Sequence, residues 1–97
     1  MKTPYRKFCI PFTNISFIKW EPSVITPIHK HNHKNCNFLV LKGTLKETIY
    51  KEIPQGYYLS HTKELSPYQS SHINDNIGAH TIENLSNKFS WSVHHYK

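Results

Sequence analysis

The sequence predicts an all-β fold, a small antiparallel barrel or sandwich, and three observations support this prediction. Proline and glycine positions, such as Pro54-Gln55-Gly56, divide the 97 residues into short segments. Several segments are rich in β-branched and aromatic residues, as is typical of strands. No stretch has a convincing long helical periodicity, and closure into a barrel would remove exposed strand edges.

Five segments are predicted to be strands: residues 14–20, 38–42, 45–53, 79–85 and 88–96. The third also fits a helical stripe, but Lys42-Gly43-Thr44 before it resembles a hairpin turn, which favours a strand. In the last segment Ser92, His94 and Tyr96 fall on one strand face, where they could form a hydrogen-bond relay. The alternative is that this face is the polar outer surface of an edge strand.

Length and charge restrict the class of protein. One domain, residues 1–97, is expected, and no apolar run approaches the ~20 residues of a membrane span. The net charge of +6 comes from scattered lysines and a single arginine, Arg6, which argues against specific nucleic-acid binding. Cys9 and Cys36, without a signal peptide, indicate free thiols and a cytoplasmic protein.

The eight histidines are the unusual feature of the composition. His29 and His31 are two residues apart, so in an extended chain both imidazoles face one side. Such a pair is half of a site for Fe, Zn, Cu or Ni, and the alternative is two surface histidines in a loop. Four residues separate His31 from Cys36, and six more separate Cys36 from Gly43. Much later, three residues separate His80 from Asn84. This two-part pattern resembles the cupin superfamily, whose double-stranded β-helix, a small antiparallel barrel, brings the second motif beside the first.

A closer resemblance lies in four stretches in the same order along the chain. They are Ile28-His29-Lys30-His31 with Cys36, then 41–48, then 73–84, and finally Ser92-Val93-His94-His95-Tyr96. Together they resemble eukaryotic-type cysteine dioxygenase, of the thiol dioxygenase family, shortened at both ends. Members of that family are usually longer, so the resemblance leaves open a minimal form, a decayed descendant, or a homo-oligomer that covers exposed barrel edges.

The resemblance implies a set of site residues. Fe(II) would be held by His29, His31 and His80, and the small thiol substrate and O₂ would take the remaining positions. Ser92, His94 and Tyr96 would form the catalytic relay, with Cys36 cross-linked to Tyr96 as a thioether. Arg6, in the stretch Tyr5-Arg6-Lys7-Phe8 that resembles the family's arginine-containing strand, would bind the substrate carboxylate, and an exposed N-terminal arginine is the alternative.

The expected function is therefore Fe(II)-dependent oxidation of free L-cysteine to its sulfinate with O₂. Cys36 favours cysteine over the rival substrate 3-mercaptopropionate, whose enzymes generally lack that cysteine. Two other functions stay open. One is a metal-binding cupin that is not an oxygenase, acting as a small-molecule sensor or isomerase. The other is a catalytically inactive interaction module.

Overall fold

The fold is built from β-strands alone in the residues that the computed structural model describes, 5–30 and 35–96. The eight strands are β1 (Tyr5–Cys9), β2 (Ile15–Trp20), β3 (Cys36–Lys42), β4 (Leu45–Ile53), β5 (Gly56–Leu65), β6 (Ser70–Ile73), β7 (Ala79–Asn84) and β8 (Ser90–Tyr96). The all-β prediction is confirmed. Nowhere in these two ranges is there a helix long and apolar enough to cross a membrane.

The strands form two antiparallel sheets that enclose the core. One sheet has the order β1-β2-β8-β3-β6 and the other has the order β5-β4-β7. The main apolar cluster takes residues from both sheets: Ile18, Trp20, Phe38 and Val40 from the first, and Leu45, Leu65 and Ile82 from the second. The two sheets therefore pack face to face, with alternate residues of each strand pointing inward.

All five predicted strands are present, and their ends differ from the predictions by at most two residues. The structure also confirms the strand expected around Tyr5-Arg6-Lys7-Phe8 from the family resemblance. It adds β5 and β6, which the sequence pattern did not reveal. Nearly every residue of β5 is exposed and β6 is only four residues long, so neither produces a readable alternation of apolar and polar residues.

The predicted hairpin at Lys42-Gly43-Thr44 is wrong. β3 pairs with β6 and β8, whereas β4 pairs with β5 and β7, so the turn is a corner between the two sheets. Gly43 has a φ of 86°, and a Cβ there would lie 1.9 Å from the Ser90 hydroxyl oxygen. Glycine is required at this corner because both the backbone conformation and the approach of β8 exclude a side chain.

The suggestion that Ser92, His94 and Tyr96 lie on an edge strand is also wrong. β8 lies inside its sheet, between β2 and β3. Ser92 and His94 are buried, and Tyr96 on the same face is half-buried. The polar row therefore points into the space between the sheets.

Candidate metal centre

Two histidines far apart in sequence meet because the segment before residue 30 runs alongside β7. Isolated antiparallel bridges join Ile25 to Glu83 and His29 to His80. The backbone N–H of His29 donates to the carbonyl of His80 at 3.1 Å, and the N–H of His80 donates back to His29 at the same distance. Since directly opposed residues of an antiparallel pair project to the same face, the two imidazoles are brought together by backbone pairing.

The imidazole rings of His29 and His80 meet at their Nε2 atoms, which are 2.9 Å apart. The other ring nitrogens contact groups that can only accept a hydrogen bond. Nδ1 of His80 lies 2.7 Å from a carboxylate oxygen of Glu47, and Nδ1 of His29 lies 3.0 Å from the carbonyl oxygen of Pro27. Both Nδ1 atoms therefore donate, so in the neutral form of either ring the lone pair is on Nε2.

This donor set fits a metal cation. Two nitrogen lone pairs at 2.9 Å repel each other unless a cation or a shared proton lies between or beside them. Burial and the nearby His80 ring lower the pKa of His29, which favours the neutral, lone-pair-bearing form of its ring. Imidazole ligands bind zinc at about 2.0–2.1 Å, so two of them meeting near a right angle lie about 3 Å apart. The observed separation is in this range.

The third proposed ligand, His31, lies outside the described residues. Within residues 5–30 and 35–96, no three His, Cys, Asp or Glu side chains are grouped closely enough to hold a metal by themselves. The metal role of His31 stays a prediction, as does the three-histidine set as a whole.

Glu47 is a further member of this site and is not among the predicted site residues. It lies on β4 at an inward position between the buried residues Leu45 and Ile49, and its own exposure is 0%. Burial raises the pKa of Glu47, but hydrogen bonds from His80 and Ser71 and the charge of Lys63 hold it below its usual value. The available signal was one acidic residue between the apolar residues Leu45 and Ile49 on one strand face, because buried carboxylates are rare without a partner.

The polar row of β8 forms a hydrogen-bonded chain that extends further than the sequence suggested. The indole N–H of Trp20 donates to Ser92 Oγ at 2.8 Å, and Ser92 Oγ lies 2.7 Å from His94 Nε2. Because the indole can only donate, it occupies an acceptor site of Ser92 and leaves the serine hydrogen for His94. This network favours a proton on His94 Nδ1, which faces the Cys36 sulfur at 3.8 Å.

Cys36 and Tyr96 are direct partners in the pairing of β3 with β8. Cys36 is buried, and burial raises the pKa of its thiol to about 11. Burial likewise raises the pKa of the Tyr96 phenol, and the nearby Cys36 raises it further. Both groups are therefore neutral at physiological pH, side by side at one wall of the space between the sheets.

The candidate site opens into a small cavity that collects four of the eight predicted site residues. It is lined by Tyr5, Lys7, Ile18, Trp20, Thr26, His29, His80, Ile82, His94 and Tyr96. His29 and His80 thus share one cavity with His94 and Tyr96, while Ser92 and Cys36 contact His94 and are not among the lining residues.

Arg6, the predicted ligand of the substrate carboxylate, lies away from this cavity. On β1 it pairs with Lys19, and it lines a separate surface cleft with Lys19, Glu21 and Phe89. The next residue, Lys7, pairs with the buried Ile18, and its ammonium lies 4.2 Å from the Tyr96 ring centroid. Successive residues of a strand project to opposite faces, so Lys7 lies on the cavity side of β1 and Arg6 on the other side.

The two facing sheets and a histidine-lined cavity between them define a cupin, and solved structures agree. An oxalate oxidase covers 84% of this chain with a TM-score of 0.70 at 19% identity, over 40% of its own length. The cupin domain of Drosophila melanogaster CENP-C covers 96% of this chain with a TM-score of 0.72 at 10% identity. At such identities the likeness concerns the fold alone. The sequence profile of cysteine dioxygenase type I matches residues 12–97, and the chain belongs to that family.

Individual relatives of this chain are also cysteine dioxygenases. Cysteine dioxygenase type 1 of Danio rerio is 30% identical over 77 residues, which is 75% of this chain. The enzyme of Homo sapiens is 30% identical over 76 residues. In both cases the match spans only 38% of the relative's length. The expected resemblance to cysteine dioxygenase is thus confirmed.

Proposed function

We propose that this protein is an iron-dependent thiol dioxygenase that oxidises free L-cysteine to its sulfinate. The observation that carries the proposal is the facing Nε2 pair of His29 and His80, which shares a cavity with His94 and Tyr96. The family to which the chain belongs supports the same chemistry. In the reaction both atoms of O₂ are added to the thiol sulfur, so no other oxidant is needed.

His29 and His80, with His31 as the proposed third ligand, would hold Fe(II) through ring nitrogens. Bound there, the iron would supply a place where thiolate and O₂ meet and the redox chemistry that joins them. The neutral imidazoles contribute no charge, so an anionic thiolate is attracted to the dipositive ion. A cytoplasmic location and self-association through uncovered strand edges remain predictions of this proposal.

Lys7 is the cation we propose for the substrate carboxylate, in place of Arg6. Lys7 is exposed, but it lines the cavity and its ammonium lies over the Tyr96 ring, whereas Arg6 lines a cleft on the other face of β1. A lysine offers a point charge rather than the planar fork of arginine, so it neutralises a carboxylate without fixing its orientation in two places. Tyr96, with a neutral phenol, would donate a hydrogen bond beside the bound thiol.

The test of the activity is oxygen uptake by protein loaded anaerobically with Fe(II). We expect thiol-dependent uptake with L-cysteine, and both sulfinate oxygens labelled when ¹⁸O₂ is used. His29→Ala should abolish uptake, whereas His61→Ala, an exposed histidine on β5, should leave it unchanged. Faster turnover of 3-mercaptopropionate would overturn the substrate assignment, and no uptake with any thiol would overturn the dioxygenase assignment.

The test of Lys7 compares substrates with and without a carboxylate. Loss of a charge-assisted hydrogen bond costs about 1.5–3 kcal/mol, so Lys7→Gln should raise the KM for cysteine about 10- to 100-fold. The KM for cysteamine, which lacks the carboxylate, should barely change. Arg6→Gln is the matched control and should leave both KM values unchanged. The opposite pattern would identify Arg6 as the residue that binds the substrate carboxylate.

A further inference from the structure

Glu47 is a completely buried carboxylate with partners on three other strands. Its Oε2 accepts a hydrogen bond from His80 Nδ1 of β7 at 2.7 Å, and its Oε1 accepts one from Ser71 Oγ of β6 at 2.5 Å. The ammonium of Lys63, on β5, lies 3.5 Å from Oε1. Because β6 belongs to the other sheet, the Glu47 carboxylate connects the two sheets beside the cavity.

Burying a charge in this way is costly unless it is well compensated, and the partners of Glu47 provide the compensation. Two hydrogen bonds and one cation satisfy both carboxylate oxygens. Neighbouring inward positions of the same strand, Leu45 and Ile49, are apolar core residues. A leucine or isoleucine at position 47 would suit such a strand face without this compensation, so packing alone does not account for the carboxylate.

The carboxylate determines how His80 is presented to the cavity. It can only accept, so the His80 proton resides on Nδ1 and the Nε2 lone pair points at Nε2 of His29, 2.9 Å away. Fixing Nδ1 also fixes the rotation of the ring. A negative charge on the far side of the imidazole makes Nε2 a better electron donor to a cation.

We infer that Glu47 is a positioning residue for the metal centre, holding His80 in the tautomer and ring orientation that bind the ion. The inference rests on the proposed metal site at His29 and His80. It assigns the negative charge of the site to a residue outside the ligand set. A carboxylate held outside the ligand set would not compete with substrate and O₂ for the ion.

The first test measures metal affinity without turnover. Co(II) is titrated anaerobically into wild type, Glu47→Gln and Glu64→Gln, and binding is followed by calorimetry and by the cobalt absorption bands. Removing such a hydrogen-bonding partner typically weakens metal binding about 10- to 100-fold, which is the loss expected for Glu47→Gln. Glu64→Gln makes the same change at an exposed position of β5 and should bind as wild type does. Equal affinities of wild type and Glu47→Gln would overturn the inference.

A milder variant covers the case in which Glu47→Gln does not fold. Ser71→Ala keeps the carboxylate but removes one of its two hydrogen bonds, so a smaller loss of affinity is expected, with thermal unfolding used to verify the fold. If Glu47→Gln is unfolded and Ser71→Ala binds Co(II) as tightly as wild type does, the inference is overturned. The second test reads ring nitrogen shifts of His80 by NMR in metal-free protein, where the proton should be found on Nδ1. A proton on Nε2 would also overturn the inference.

These outcomes separate the inference from the proposed function. Weakened Co(II) binding in Glu47→Gln, together with no thiol-dependent oxygen uptake by the iron-loaded wild type, would leave Glu47 in its role and remove the dioxygenase. Oxygen uptake by wild type, with unchanged metal affinity in Glu47→Gln, would support the dioxygenase and overturn the positioning role of Glu47.

Discussion

Cys36 and Tyr96 are directly opposed across the antiparallel pair of β3 and β8, and the Cys36 thiol is buried beside the Tyr96 ring. Direct opposition holds two side chains within reach of each other without any movement of the backbone. Formation of the proposed thioether therefore requires only the oxidation step, because the fold already holds the two residues next to each other.

Aerobic incubation of the iron-loaded protein with cysteine should join Cys36 to Tyr96. Forming the bond removes one hydrogen from the sulfur and one from a ring carbon, with O₂ as the two-electron oxidant. Intact mass should therefore fall by the mass of two hydrogen atoms, and a reductant should not restore it. Cys36→Ser and Tyr96→Phe should each lack the change, whereas a reductant-sensitive loss in wild type would indicate a disulfide to Cys9 instead.

The two cysteines should react with thiol reagents at very different rates before any cross-link forms. The pKa of the Cys36 thiol is raised to about 11 by burial, so at pH 8 only a small fraction is the reactive thiolate. Cys9 is exposed. Iodoacetamide followed by mass spectrometry should show one fast and one slow alkylation, and Cys9→Ser should abolish the fast phase. Rapid modification of Cys36 in the folded protein would contradict its burial.

Replacing Trp20 by Phe should destabilise the protein through the serine–histidine chain. The substitution removes the N–H that donates to Ser92 at 2.8 Å and leaves a buried hydroxyl with one partner fewer. A cost of about 1–3 kcal/mol in the free energy of unfolding is expected, in addition to the lost ring volume. Urea denaturation measures it, and Trp91→Phe, on the opposite face of β8, is the control. Equal losses in the two variants would mean that the hydrogen bond contributes nothing measurable.

Alanine at Gly43 should cost more stability than alanine at Gly56. Both glycines have positive φ, 86° and 136°, so both substitutions strain the backbone. Only at Gly43 would the new methyl group collide with Ser90, since no atom lies within 4 Å of a Cβ at Gly56. The difference between the two unfolding free energies isolates the corner contact, and Gly43→Ala with Ser90→Gly should recover part of it. A larger loss at Gly56 would contradict the described corner.

Residue patterns along the chain predicted the parts of this protein that depend on local periodicity. The alternation in β8 placed Ser92, His94 and Tyr96 on one face, and the structure shows that face turned inward. The spacing of His29 and His31 and the motif around His80 indicated a metal site. The structure brings His29 and His80 together, and the metal remains a proposal.

Tertiary structure alone decided which residues complete the site. Lys7 and not Arg6 lines the cavity because the pairing of β1 with β2 sets which alternate residues face it. The stretch Tyr5-Arg6-Lys7-Phe8 alone does not reveal that register. Glu47 meets His80 because β4 pairs with β7, a contact between residues 33 positions apart. Gly43 marks a corner rather than a hairpin because its neighbouring strands find partners in different sheets. Local sequence specifies strand faces, whereas partners across sheets are chosen by the packing of the whole core.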